Sequence, residues 1–224
     1  MKNFSVEITR RCNMACAHCM RGDAMPLDID HHHIRNVVRH FCSIRHLNIT
    51  GGEPSLNPKA IRYLLKQLRH FDVHVYAFYV VTNGSLSSVS QEFIDLCCEL
   101  YEYQEEKSED SNVRMLELSD DHFHDAAHRE EVIAKLGKYP FFGMRGQSEH
   151  ILLFKEGRCL EGFDNPVHSV YLSNMGYVYG DVYLNAKGMI CGNGDLSYSR
   201  QDRYGLCKSS AFLRYLKSTV RREL

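Results

Sequence analysis

A chain of 224 residues with 44% hydrophobic and 25% charged side chains carries enough apolar material for one globular core, or one core with a small appendage. Its formal net charge of −1 removes the electrostatic reason to expect nucleic acid as a partner, and no run of about 18 apolar residues is present to span a membrane. The nine cysteines, behind an opening MKNFSVEITRRC that lacks the apolar stretch of a signal peptide, point to reduced thiols, metal binding and a cytoplasmic setting.

Phe4 to Ile8 alternates as a first strand and runs directly into a cysteine loop. Asp30 is placed to cap a helix with Ile34, Val37, Val38 and Phe41 on its apolar face. His46 to Thr50 reads as a second strand ending on Gly51-Gly52. Asn57-Pro58 starts a second helix with Ile61, Leu64, Leu65 and Leu68 as its buried stripe. Val73 to Val81 is a strongly β-prone third strand closed by Thr82-Asn83-Gly84, and a third helix spans about Ser90 to Tyr103. A polar, acidic stretch to Asn112 precedes a fourth strand, Val113 to Leu118. Asp125 is the expected cap of a fourth helix stopped by Gly137, and Pro140 to Met144 reads as a short fifth strand.

This alternation predicts an α/β fold with right-handed crossovers and a parallel sheet, each motif lying at a strand's C-terminal end. The period is lost after residue 150. Tyr171-Leu172, Val178 to Leu184 and Met189 to Cys191 read as strands, the last two joined by the turn Asn185 to Gly188, with a final helix near 209–221. The expected division is a core at 1–150 and a C-terminal mixed α/β extension at 151–224.

Cys12, Cys16 and Cys19 are spaced C-x3-C-x2-C. Four thiolates would close a tetrahedral site, whereas three leave one coordination position for a small molecule. Together with Gly51-Gly52-Glu53-Pro54, which follows after room for one helix and one strand, this run resembles the signature of the radical S-adenosylmethionine (radical SAM) enzymes.

The resemblance implies a partial (β/α)6 barrel over roughly residues 4 to 150. It further implies a [4Fe–4S] cluster on Cys12, Cys16 and Cys19 whose open iron chelates S-adenosyl-L-methionine. Gly51, Gly52, Glu53 and Pro54 would lie at the methionyl end, the glycines giving the backbone close approach. An electron passed to the cluster would cleave the cofactor to methionine and a 5′-deoxyadenosyl radical. His18 stands where the family usually has an aromatic residue near the adenine. Ser119 or Asp120 would suit the ribose hydroxyls, with Thr82, Asn83 and Arg145 as further cofactor contacts. Asp121, His122 and His124 are candidate acid–base or hydrogen-bonding groups toward the substrate. For all of these a hydrated loop, helix cap or simple turn is the plainer alternative.

Gly188-Met189-Ile190-Cys191 resembles the hairpin ligand of the auxiliary-cluster extensions (SPASM or twitch type) of some relatives, which makes Cys159, Cys191 and Cys207 candidates for an auxiliary iron–sulfur cluster. The sparse spacing favours unpaired thiols in a small subdomain. Cys42, Cys97 and Cys98 read as helix packing, and His31-His32-His33 as a solvated first turn.

The function implied is hydrogen abstraction from a substrate, first a peptide or protein, served by an external flavodoxin- or ferredoxin-like electron donor. The alternatives are a small metabolite such as a nucleotide or deazapurine precursor, activation of a glycyl-radical enzyme, or a non-catalytic iron–sulfur redox module. The chain opens on the first strand, so a peptide would need a separate recognition protein or direct docking into the barrel.

Overall fold

The computed structural model describes residues 1–107, 114–124, 127–145 and 152–220, with side chains omitted for 105–107. Five parallel strands alternate with helices in the expected order: β1 (Asn3–Thr9), α1 (His31–Val38), β2 (Ser43–Gly51), α2 (Pro58–His70), β3 (His74–Thr82), α3 (Gln91–Lys107), β4 (Leu116–Ser119), α4 (Arg129–Leu136) and β5 (Phe142–Arg145). After them come β6 (Tyr171–Leu172), β7 (Val178–Tyr179), β8 (Asp181–Leu184), β9 (Met189–Cys191), α5 (Tyr198–Arg203), β10 (Cys207–Lys208) and α6 (Phe212–Ser218). Among the described residues no helix is long and apolar enough to cross a membrane.

The local signals act as their chemistry requires. The Asp30 side chain caps α1 by accepting from His32 N–H, and Asn57 caps α2 by accepting from Ala60 N–H, with Pro58 at the first helical position. Ile61, Leu64, Leu65 and Leu68 are all buried in the core. β4 is short and pairs with β3 only from Val80 onward. The N–H of Phe78 is satisfied instead by the Gln104 side chain of α3, at 2.7 Å.

Several boundaries move. β2 begins earlier, at Ser43, and the expected strand Val178–Leu184 divides at Gly180, φ +88°, into β7, which pairs with β6 in a separate two-stranded sheet, and β8 in the main sheet. α1 stops at Val38, although Phe41 is still buried beyond it, and α3 continues to Lys107. Asp125 lies outside the described residues. α4 begins at Arg129, where Glu130 and Glu131 place two carboxylates in the first turn and suit the positive end of the helix dipole.

The main sheet has the order β10-β9-β8-β1-β2-β3-β4-β5. It is a largely parallel sheet of the partial-barrel kind expected, but among the described residues no sixth parallel strand follows β5. β8 pairs parallel to β1 on the opposite side, with Phe4 against Val182 and Val6 against Leu184. β9 and β10 then continue the sheet antiparallel. The residues after 152 therefore complete the edge of the first strand. α6 seals this side through Phe212, which is fully buried with its ring centroid 5.9 Å from that of Phe41.

Candidate active site

The chain leaves β1 at Thr9 and returns to it near Ile29, enclosing the loop that holds the three cysteines. Arg10 N–H donates to Leu27 O at 2.7 Å, Met25 N–H to Arg10 O at 2.9 Å, Ile29 N–H to Ile8 O at 3.1 Å, and Thr9 Oγ1 to the Asp28 carboxylate at 2.6 Å. Inside the loop Cys19 N–H donates to Cys16 O at 3.1 Å. Cys12, Cys16 and Cys19 are half-buried free thiols on the wall of a single cavity of about 270 Å³. Burial pushes the Cys12 and Cys16 thiols up, and neighbouring thiols add to the shift. Among the described residues no fourth cysteine lines the cavity, so its donor set fits a cluster held by three protein ligands.

The glycine turn at the end of β2 lies against this loop. Gly52 N–H donates to Thr9 O at 2.9 Å and Glu53 N–H to Arg11 O at 2.8 Å. A Cβ on Gly51 would lie 2.3 Å from Thr9 O, and one on Gly52 would lie 2.1 Å from Arg11 O and 3.0 Å from Cys12 Cβ. Within the chain, the glycines permit the turn to touch the backbone of the cysteine loop. The Glu53 carboxylate is buried and accepts from Ser55 N–H at 3.1 Å, Thr82 Oγ1 at 3.0 Å and Asn83 N–H at 2.8 Å. It thereby ties the ends of β2 and β3 together, and burial pushes its carboxyl up against these bonds. Asn83 reaches back with its amide to Asn13 Oδ1 at 3.0 Å and to Cys12 Sγ at 3.6 Å.

Beyond β4 the expected candidates separate. Ser119, Asp121 and His124 line the cavity, as does Arg145 at the end of β5. His122 is exposed and is not among the lining residues, and Asp120 turns to a smaller neighbouring pocket. The Asp120 carboxylate takes two bonds from Arg129, at 2.5 and 2.8 Å. Asp121 accepts from Phe123 N–H at 3.0 Å and pairs with His124 Nδ1 at 2.7 Å. Burial pushes the Asp121 carboxyl up, but the bond and charge of His124 outweigh it and hold the group below its ordinary value. His18 stacks on Phe123 with centroids 4.3 Å apart and meets His124 edge-on at 5.1 Å. Its Nδ1 is buried with no partner among the described residues. Arg145 donates to Tyr79 Oη at 3.1 Å.

Two groups escaped the sequence reading. The first is a strap after residue 152 that closes the cavity with Leu153, Phe154 and Arg158. A Cβ on Gly157, whose φ is +60°, would stand 2.6 Å from Cys19 O and 2.4 Å from Gly22 N. Of its residues only Cys159 was singled out in the sequence, and for a different role. The second is a buried network behind the loop. Glu7 and Arg10 have fully buried side chains and pair at 2.7 Å. Glu7 also accepts from Tyr183 Oη at 2.7 Å and Ala186 N–H at 3.0 Å, and Arg10 reaches Gln201 Oε1 at 2.9 Å with its guanidinium 4.3 Å from the Tyr198 ring centroid.

The three C-terminal thiols are not brought together. Cys207 pairs across from Ile190, so it shares that residue's face of the sheet, while Cys191 projects from the other. Burial pushes the Cys191 thiol up to about 12 and that of Cys207 up to about 11. Cys159 sits in the strap and donates to Glu161 O at 3.3 Å. Elsewhere Cys97 is buried as expected, whereas Cys42 is exposed. His31 stacks on Tyr63 and His33 bonds Ser209 Oγ at 2.8 Å, so that turn is packed on two sides.

Among solved structures the chain is similar to native anSMEcpe with bound AdoMet and Cp18Cys peptide, at 16% identity over 64% of this chain and 42% of that one, TM-score 0.45. It is also similar to a hexahistidine-tagged form of anSMEcpe with bound AdoMet, at 16% identity over 64% and 43%, TM-score 0.46. A third is Streptococcus suis SuiB bound to precursor peptide SuiA, at 13% identity over 58% and 29%, TM-score 0.38. The chain spans less than half the length of each. Residues 6–104, from β1 through most of α3, match the family model of the Radical SAM superfamily. That matched segment, which holds the three cysteines and the glycine turn, is what the chain shares with the radical SAM superfamily.

Proposed function

We propose that Cys12, Cys16 and Cys19 hold a [4Fe–4S] cluster at which S-adenosyl-L-methionine binds, and that the chain is an enzyme abstracting hydrogen from a peptide or protein. The observation that carries this reading is the convergence of three free thiols and the Gly51-Gly52 turn on one cavity without a fourth cysteine. Bound there, the cluster would supply one electron to the sulfonium and release a 5′-deoxyadenosyl radical.

The residues of the chain divide the remaining work. Glu53 fixes the turns after β2 and β3, Asn83 braces Cys12, and His18 offers a stacking face with an unspent ring nitrogen. Ser119 and Arg145 would contact the cofactor, and the Asp121–His124 pair the substrate; their shared lining of the cysteine cavity supports this reading. His122 faces solvent and Asp120 is held by Arg129, so both take supporting roles. The separation near residue 150 is retained as the limit of the β/α repeat. A reduced intracellular setting and a flavodoxin- or ferredoxin-like donor complete the proposal.

Anaerobically reconstituted protein is expected to hold about four irons per chain and, with dithionite and S-adenosyl-L-methionine, to release 5′-deoxyadenosine. A chain that holds iron but releases no 5′-deoxyadenosine would be a redox module. Iron retained after replacement of all three cysteines by alanine would refute the ligand assignment. The peptide substrate rests on the resemblance of the cysteine-bearing extension. Deuterium transfer into 5′-deoxyadenosine from a labelled small metabolite, with none from any peptide, would decide against it.

A further inference from the structure

The strap that closes the cavity comes from outside the matched family segment and brings a cation to the cysteine loop. Arg158 N–H donates to Cys19 O at 3.0 Å, and its side chain lines the same cavity as Cys12, Cys16 and Cys19. The strap is held from behind. Lys155 N–H donates to Phe163 O at 2.9 Å and Phe163 N–H to Leu153 O at 2.9 Å, while the buried Glu156 accepts from Ser197 N–H at 2.9 Å and from Arg200. Gly157 allows the strap to lie on the backbone of Cys19 and Gly22.

Among the described residues the guanidinium is only weakly neutralised. Its carboxylate partner, Asp23, stands 3.4 Å away with a side chain 90% exposed, where water and salt screen the pair. Arg158 Nε is buried and has no hydrogen-bond partner among the described residues. The other two arginines of the wall are committed elsewhere: Arg21 donates to Leu196 O and lies over the Tyr183 ring, and Arg145 donates to Tyr79.

We propose that Arg158 is a redox-positioning residue: a fixed cation beside the cysteine loop that raises the reduction potential of the cluster bound there. This rests on the cluster reading given above. Reduction adds one electron from an external reductant, so the cluster gains negative charge, and a neighbouring permanent cation favours the reduced form. Removing the cation makes the cluster harder to reduce without removing any ligand.

The test is a dithionite redox titration of the reconstituted holoprotein, followed by the paramagnetic resonance signal of the reduced cluster, without S-adenosyl-L-methionine or substrate. Arg158→Gln is expected to keep wild-type iron content and shift the midpoint to more negative potential, and Arg158→Lys to return most of the shift. A structural role alone would give no rescue by lysine. An unchanged midpoint in Arg158→Gln at equal iron content overturns the inference. If that variant does not retain iron, Asp23→Asn, at an exposed carboxylate, is expected to shift the midpoint in the less negative direction; no shift again overturns it. A wild-type chain that takes up no iron would overturn the cluster reading beneath it, a distinct and recognisable result.

Discussion

Replacing Glu7 by leucine and Arg10 by methionine, singly and together, tests whether the buried pair behind the cysteine loop acts as one unit. Both side chains are 0% exposed and paired at 2.7 Å. Glu7→Leu strands the Arg10 guanidinium, leaving Asp202 at 3.5 Å as its remaining carboxylate, and removes the acceptor for Tyr183 Oη and Ala186 N–H. Breaking one side of a buried pair costs about 3–5 kcal/mol, because the surviving charge keeps its desolvation penalty. Arg10→Met is expected to cost about the same, since it leaves Glu7 without its cation and Gln201 Oε1 without a donor. Independent effects would sum to about 6–10 kcal/mol, comparable to the whole stability of a domain. The double variant contains neither charge and is expected to lose only about 3–5 kcal/mol, a coupling of roughly 3 kcal/mol or more. The assay is urea unfolding of metal-free protein followed by far-ultraviolet circular dichroism, at constant m-value. Single losses under about 1 kcal/mol, or additivity within about 0.5 kcal/mol, would refute the reasoning.

Gly52→Ala must push Cβ against Arg11 O, at 2.1 Å in the present backbone; an overpacking loss of about 1–3 kcal/mol and a lower iron content are expected from unfolding and iron assays. Asp121, whose carboxyl is held down by His124 against its burial, contributes stability that is present above its unfolded value and lost as pH falls through the lower folded value. The acid limb of a urea-midpoint profile should therefore be shallower in His124→Ala than in wild type. Cys191→Ser and Cys207→Ser are expected to leave iron at about four per chain, since the two thiols project from opposite faces of the sheet; loss of iron in both would contradict that geometry. Asp120→Asn, which weakens the pairing with the more exposed Arg129, is expected to move the urea midpoint less than either single change in the Glu7–Arg10 pair.

Local chemistry was legible wherever one segment carried its own instruction. The Asp30 and Asn57 caps, the Ile61-Leu64-Leu65-Leu68 stripe and the turn from Asn185 to Gly188 fold as their residues require. The cysteine run and the glycine turn, far apart in the chain, meet on one cavity because both lie at the carboxyl ends of adjacent parallel strands. What stayed hidden was long-range. Nothing in the alternation of Phe4, Val6 and Ile8 says that residues 181–184 will pair with that strand. Glu7 sits at a position where alternation expects solvent, and it becomes buried only because Tyr183 and Ala186 arrive with donors. Arg158 was illegible for the same reason, since its meaning depends on a backbone bond to Cys19. Asp120, expected at the ribose, and His122, expected beside Asp121 toward the substrate, could not be told from cavity-lining residues in sequence; Arg129 and the direction of the turn separate them.

The pairing of β1 with β8 sets an order of events during synthesis. At about 5–20 residues per second, Cys12, Cys16 and Cys19 leave the ribosome roughly 10–40 s before the strand, strap and helix that enclose them. Through that interval the three sulfurs are open to oxidants and to stray metal ions. Maleimide should label ribosome-bound chains halted at residue 150 faster than released, folded ones; equal labelling would show that the first strands shelter their own thiols.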